Sequence, residues 1–301
     1  MFTKDTLEKS ELPLNHVIYC DTDSAFLSIG PFVKDEIDDD KILKKIYVIS
    51  EDLETYINKN VIQEFYKIHN LSAKSSVLSF KQEVIAKKAL FLPGKKHYAL
   101  DIIDRERTKL PENEYEIKGL EIRRSDASSE SKIVLQTLLD MILREGKNVK
   151  EILDYVAEER KKVLELVIQG SKRIARPVSY TKSHYDKTIP GHIRGMFAWN
   201  ELMKEDFRPG SRGLMFYVKG INAQTADKKL LQKYEEYFVA KNKKLTQIVI
   251  PDILEGLPDY FLPDEDRMLE LAFDRRVLSL LEPLGVSSMI WAKKPTDILD
   301  W

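Results

Sequence analysis

His16-Val17-Ile18-Tyr19-Cys20-Asp21-Thr22-Asp23-Ser24-Ala25-Phe26-Leu27-Ser28-Ile29 is the stretch on which the reading of the fold turns. Its two β-rich runs, 16–20 and 25–29, flank four residues of turn chemistry, which predicts two strands about a tight turn. Alternation along a strand would point Asp21 and Asp23 the same way and Thr22 the other. Two carboxylates without a basic neighbour repel each other, and that arrangement favours a hard divalent cation. Such cations hold triphosphate oxygens and offset charge on attacking and leaving oxygens in phosphoryl transfer. On its own an Asp-x-Asp turn reads first as ordinary turn formation.

Downstream of the hairpin, 44–50 reads as a short strand and 53–69 as a helix, with Ile57, Val61, Ile62, Phe65 and Ile68 at helical spacing. Segments 78–92 and 96–103 read as strands, the second with Tyr98, Leu100 and Ile102 alternating, and 115–122 as its partner. After Arg124 the pattern becomes helical. Asp126 is a candidate cap for a helix through Val134, Leu135, Leu138, Met141 and Ile142, stopping at Gly146. Asn148, with Glu151 three residues on, starts another that ends at Gly170. Further helices are predicted at 192–204, 227–241 and 264–281. A mixed sheet-and-helix region followed by helices defines an α+β chain of two domains, 1–124 and 125–301.

The bulk composition sets bounds. The chain of 301 residues is long enough for two cores, and 43% hydrophobic with 32% charged residues describes an ordinary folded protein. Cys20 is the single cysteine, which rules out an internal disulfide, and five scattered histidines do not suggest structural zinc. No run approaches eighteen apolar residues, so no membrane partner is expected, and the N-terminus lacks a signal-peptide core. The net charge of −1 hides an asymmetry: residues 160–250 hold 19 Lys+Arg against 8 Asp+Glu, and residues 251–301 hold 5 against 11. This pattern fits a surface facing a polyanion followed by an acidic segment with another purpose, or else solvated helix faces.

Four more blocks carry chemistry. Lys95-Lys96-His97-Tyr98 puts adjacent lysines at a strand start, where one side chain would go to each face and one could meet a nucleic-acid backbone; the alternative is a solvated basic strand end. Lys118-Gly119-Leu120-Glu121-Ile122-Arg123-Arg124-Ser125-Asp126 combines cations and hydroxyls suited to phosphate. In Ile189-Pro190-Gly191-His192-Ile193-Arg194-Gly195-Met196-Phe197-Ala198-Trp199-Asn200 the aromatic residues read as core. The terminus, Lys293-Lys294-Pro295-Thr296-Asp297-Ile298-Leu299-Asp300-Trp301, ends in apolar residues after a polar stretch.

In this order and spacing the blocks resemble family B DNA polymerases, especially those of large tailed bacteriophages, from about residue 15 to the end. The resemblance implies a partial polymerase palm, an antiparallel sheet with helices, in 1–124, and a mostly helical thumb in 125–301. It makes Asp23 a metal ligand and Asp21 a second catalytic carboxylate placed to interact with Lys96. It assigns Lys95, Lys96 and Tyr98 to the primer-template, with Lys96 at the minor groove, and Arg123, Arg124 and Ser125 to the primer backbone. Ile298, Leu299 and Trp301 become candidate anchors on a sliding clamp, against a tail folded onto the thumb.

The resemblance also marks what is missing. The second palm carboxylate motif, Asp-x-x-Ser-Leu-Tyr-Pro, and the fingers helix Lys-x-x-x-Asn-x-x-Tyr-Gly do not occur in the sequence. The implied enzyme is therefore the C-terminal part of a replicative DNA-directed DNA polymerase. It would use two Mg2+ and deoxynucleoside triphosphates on primer-template DNA once an N-terminal polymerase polypeptide supplies the rest. The expected location is the host-cell cytoplasm. Met1 heading a lead of about fourteen unmatched residues suggests a separately encoded polypeptide. The alternative function is a non-catalytic module that binds duplex DNA and tethers it to a clamp.

Overall fold

The computed structural model describes residues 16–72, 77–182, 188–204 and 206–287. The chain forms two compact units, one comprising the chain to Ala89 with Leu100–Glu116, the other Leu90–Ala99 with the chain from Ile117.

The first unit opens with the predicted hairpin, β1 (Val17–Asp21) and β2 (Ser24–Leu27), whose register pairs Asp21 with Ser24 and leaves Thr22-Asp23 as a two-residue turn. The register shifts between Val17 and Tyr19, so Ile18 is an extra residue that bends β1. Among the described residues the hairpin is a sheet of two strands only, an arrangement that is marginal without a covering surface.

The expected strand at 44–50 is instead the middle of a helix, α1 (Asp39–Tyr56). Asp38 caps it by accepting from the N–H groups of Asp40 and Lys41, and two more carboxylates stand in its first turn. The β-branched and aromatic run Ile46 to Ile49 suggests a strand, but Leu43, Ile46, Tyr47 and Ser50 also fall at helical spacing, and the cap favours the helix. A wider turn at Ile57–Val61 leads straight into α2 (Ile62–Ile68), so helix covers both of the expected elements.

A three-stranded sheet follows in the order β3 (Val84–Phe91), β4 (Tyr98–Arg105), β5 (Thr108–Lys118). The alternation expected in β4 is absent because the central strand is covered on both faces, and Tyr98, Ala99, Leu100, Asp101 and Ile102 are all buried. Glu106 and Arg107 turn β4 into β5 with positive φ at both positions. The buried Asp104 carboxylate fixes that turn, accepting from the Arg107 N–H at 3.1 Å, Gln82 Nε2 at 3.1 Å and the Tyr47 hydroxyl at 2.5 Å. Burial and this carboxylate push the Tyr47 phenol up to about 12.

In the second unit, α3 (Ser129–Asp140) is capped by Ser128, not by Asp126, and continues through a wide turn to the left-handed Gly146. Asn148 and Glu151 form the predicted capping box of α4 (Val149–Ile168). The α+β class holds, and this half also contains a four-stranded antiparallel sheet that the periodicity does not suggest. Its long strand β7 (Arg212–Ile221) pairs with β6 (Arg176–Ser179), β8 (Gln247–Ile250) and β9 (Phe261–Pro263). The helix α5 (Gly191–Met203) lies on this sheet, with Gly195 against Val249 and the Trp199 ring 6.1 Å from Phe261. Trp199 is buried as expected, which at roughly 1.5–3 kcal/mol per buried large side chain makes it structural. Segments α6 (Lys228–Tyr234), α7 (Glu265–Leu269) and α8 (Arg275–Leu281) complete the unit, with Asp227 and Asp264, the positions where the predicted helices begin, capping the first two. No helix among the described residues is long and apolar enough to cross a membrane.

Candidate functional site

The carboxylates lie at the tip of the first unit's hairpin. Asp21 closes β1 and is half-buried, accepting from the Thr22 N–H at 2.9 Å and the Thr22 hydroxyl at 3.2 Å. Asp23 sits in the turn itself and is exposed. Strand alternation therefore does not govern its direction, because it is not a strand residue. Among the described residues no third His, Cys, Asp or Glu joins these two in a metal-binding group. Two hard oxygen donors at the tip of a hairpin suit magnesium, which keeps waters and substrate phosphates in its shell and is bound through one or two carboxylates.

In the second unit the structure brings two of the predicted blocks together. Lys95 and Lys96 form a turn ahead of β4, not its first strand residues, and Lys96 has φ +59°. Its direction is thus set by a left-handed turn, a conformation rare for lysine and of the kind that gathers at functional positions. The His97 ring, itself exposed, braces the turn, with Nδ1 2.7 Å from the Lys95 carbonyl oxygen. Gly119, at φ +71°, passes so close that a Cβ there would stand 2.4 Å from the Lys96 carbonyl oxygen and 2.9 Å from the His97 ring. Lys118 places its ammonium 5.5 Å from the Tyr98 ring centroid, and Phe91 packs on the same ring at 5.8 Å. Tyr98 is consequently 4% exposed, the foundation of the turn and not an open stacking face.

Adjacent Arg123 and Arg124 have different fates. Arg124 pairs with Glu121 at 3.0 Å and Asp126 at 2.9 Å, and Asp126 also takes Arg176 at 2.6 Å. These partners, with the Asp126 hydrogen bond foremost, raise the Arg124 pKa. Glu121 additionally receives Arg276, which is mostly buried; that burial lowers the Arg276 pKa. Arg123 and Ser125 are exposed, and Arg123 makes no ion pair among the described residues. In the fourth block, Arg194 is exposed, while burial, seconded by Arg176, holds the His192 pKa below its ordinary 6.5. Ile298, Leu299 and Trp301 lie outside the described residues.

The acidic end of the chain in part answers the basic stretch before it. Asp274 grips Arg160 through two bonds of 2.7 and 2.9 Å, and Glu255 meets Lys172 at 2.8 Å. Arg194, Arg208, Arg212, Lys228, Lys229, Lys241, Lys243 and Lys244 make no ion pair among the described residues. The uncompensated charge therefore belongs to the later part of the basic stretch. Sequence reasoning misses this, because a count cannot tell paired cations from free ones.

The model of the family described as DNA polymerase family B matches residues 3–245, most of the chain. The chain belongs to DNA polymerase family B, and with that membership go a DNA polymerase role and DNA and deoxynucleoside triphosphate substrates. Because the match begins at residue 3, the segment ahead of His16 lies within it and is not an unmatched lead; at the other end it stops before the acidic segment. No curated protein matches the chain.

Proposed function

We propose that this chain is the palm-carboxylate and thumb portion of a replicative, phage-type family B polymerase. It is active when a complementing polypeptide supplies the second palm carboxylate, the fingers and the exonuclease, and it works in the host cytoplasm. The observation that carries the reading is the bulged two-strand hairpin with Asp21 and Asp23 at its tip, in a chain of this family. Asp23 would hold Mg2+ together with the complementing carboxylate, with Asp21 as the second catalytic carboxylate. The metal, when bound, offsets charge on the triphosphate and on the reacting oxygens. Lys95 and Lys96, on their fixed turn, position the primer-template, and Arg123 and Ser125 contact the primer backbone while Arg124 holds that segment in shape. The terminal Ile298, Leu299 and Trp301 would dock on a sliding clamp.

The need for a complement is supported by apolar surface. Eleven of the eighteen exposed large apolar side chains among the described residues belong to the first unit, including Ile18 on the bulge and Val61, Phe65 and Ile68 on one helical stripe. Such faces are costly in water unless a partner covers them. The non-catalytic reading, a duplex-binding clamp tether, draws on the absence of a third carboxylate beside the hairpin among the described residues. Reconstitution with the complementing polypeptide decides between them. Asp23→Ala should abolish primer extension and leave duplex affinity within about twofold; undiminished extension would remove Asp23 from the mechanism, and no extension by any reconstituted complex would favour the tether.

A further inference from the structure

We propose that the turn Lys241-Asn242-Lys243-Lys244 is a second, sequence-independent contact for the duplex phosphate backbone, separate from the lysine turn before β4 and from the segment at Arg123. The proposal rests on the polymerase reading above and adds a site to it.

The turn is built, not frayed. It follows the wide helical turn Glu235–Val239, whose exit is tied by Ala240 N–H to Glu235 O at 2.8 Å and Lys243 N–H to Phe238 O at 2.8 Å. Asn242 takes φ +50°, which asparagine tolerates better than most residues. Buried Phe238 on one side and buried Leu245 on the other pin both ends. The ammonium groups of Lys241 and Lys243 stand 4.8 and 5.1 Å from the centroid of one ring, that of Tyr237, and so lie within about 10 Å of each other. Lys244 is exposed beside them, and none of the three makes an ion pair among the described residues. Glu201 is felt by Tyr237 and helps raise its pKa, after burial. Gln232 occupies Glu236 at 2.8 Å. Like charges gathered on one rigid turn call for an anion.

The chemistry favours a duplex backbone over the other polyanions. Lysine is a hydrated point charge that contacts phosphate without reading bases. Single-strand sites depend on open aromatic platforms, and here both ammonium groups sit over the Tyr237 ring. Protein interfaces are depleted in lysine and need apolar anchors, and among the described residues of 228–246 Val239 is the only exposed large apolar side chain.

The test is the affinity of the full chain for a primer-template duplex between 50 and 200 mM salt, followed by fluorescence anisotropy. Replacing Lys241, Lys243 and Lys244 together by alanine should flatten log K against log salt by about 0.9 per lost contact, or about 2.7 in all. The variant would then lose roughly fortyfold less affinity than the parent across that range. The corresponding triple arginine variant should keep the parental slope. An unchanged slope in the alanine variant overturns the proposal while leaving the polymerase reading intact. So does an unchanged duplex slope combined with weakened binding to single strands or to an acidic protein. A parent chain that binds no duplex at 50 mM salt overturns both.

Discussion

Gly119→Ala probes whether the close approach of Gly119 to the lysine turn shapes that turn. At φ +71° an alanine incurs the left-handed backbone cost of roughly 1–2 kcal/mol. Its Cβ would also stand 2.4 Å from the Lys96 carbonyl oxygen and 2.9 Å from the His97 ring. Neither neighbour yields freely: Lys96 is itself left-handed, and the His97 ring is fixed by the Lys95 carbonyl. Overpacking of this kind costs a further ~1–3 kcal/mol. Gly285→Ala is the matched control, since Gly285 has φ +79° and no described residue within 4 Å of an added methyl, so among the described residues it carries the backbone cost alone. Urea unfolding should therefore show Gly119→Ala less stable than Gly285→Ala by ~1–3 kcal/mol. Because relief requires the Lys96 turn to move, duplex affinity should fall in Gly119→Ala only. Equal stability of the two variants, or a destabilised Gly119→Ala with parental duplex affinity, would refute the claim that this contact positions Lys96.

Two other outcomes follow from the second unit. Arg160→Met leaves the Asp274 carboxylate, 9% exposed, without its two-bond partner; allowing for the one-third exposure of the arginine, urea unfolding should show a loss of about 2 kcal/mol, and Asp274→Leu in the same chain should recover most of it. His192 titrates below its ordinary 6.5 in the folded chain, so below that pH the unfolded chain binds the extra proton first. Stability should be full above about pH 6.5 and decline as pH falls towards the folded value, and His192→Gln should flatten the urea midpoint between pH 7.5 and 5.5.

The parts legible in the sequence are those where a few adjacent residues settle the backbone. Asn148 with Glu151, Asp227, Asp264, Gly146 and Gly170 mark helix ends because each satisfies or terminates a ladder locally. The hairpin at Asp21–Ser24 is legible for the same reason. What escapes notice depends on distant residues. Glu106 and Arg107 have no turn propensity of the kind a two-residue hairpin wants, and their positive φ is held by Asp104 and by Glu83, whose carbonyl accepts the Glu106 N–H at 2.7 Å. The sheet around β7 escapes because its strand β6 pairs across more than thirty residues of sequence, which no local period records. The lysine pair reads as strand and folds as turn because Gly119, twenty-three residues downstream, is what makes room for the turn.

The same distinction governs which cations are open to a polyanion. Counted along the chain, Arg123 and Arg124 are equivalent, as are Arg173, Arg176, Arg194 and Arg212. In the folded chain Arg124, Arg173 and Arg176 are neutralised by Glu121, Glu130 and Asp126, and Arg160 and Lys172 by the acidic C-terminal stretch. Those arginines shape the scaffold, and a polyanion could recruit them only by displacing a carboxylate already in place. Cations without partners face no such competition, and their attraction for phosphate is limited only by screening. The acidic end of the chain thus accounts for Arg160 and Lys172, and local carboxylates for Arg124, Arg173 and Arg176, while Arg123, Arg194, Lys241, Lys243 and Lys244 make no ion pair among the described residues. Unpaired cations can in this way be gathered at a few positions in a chain whose net charge is −1.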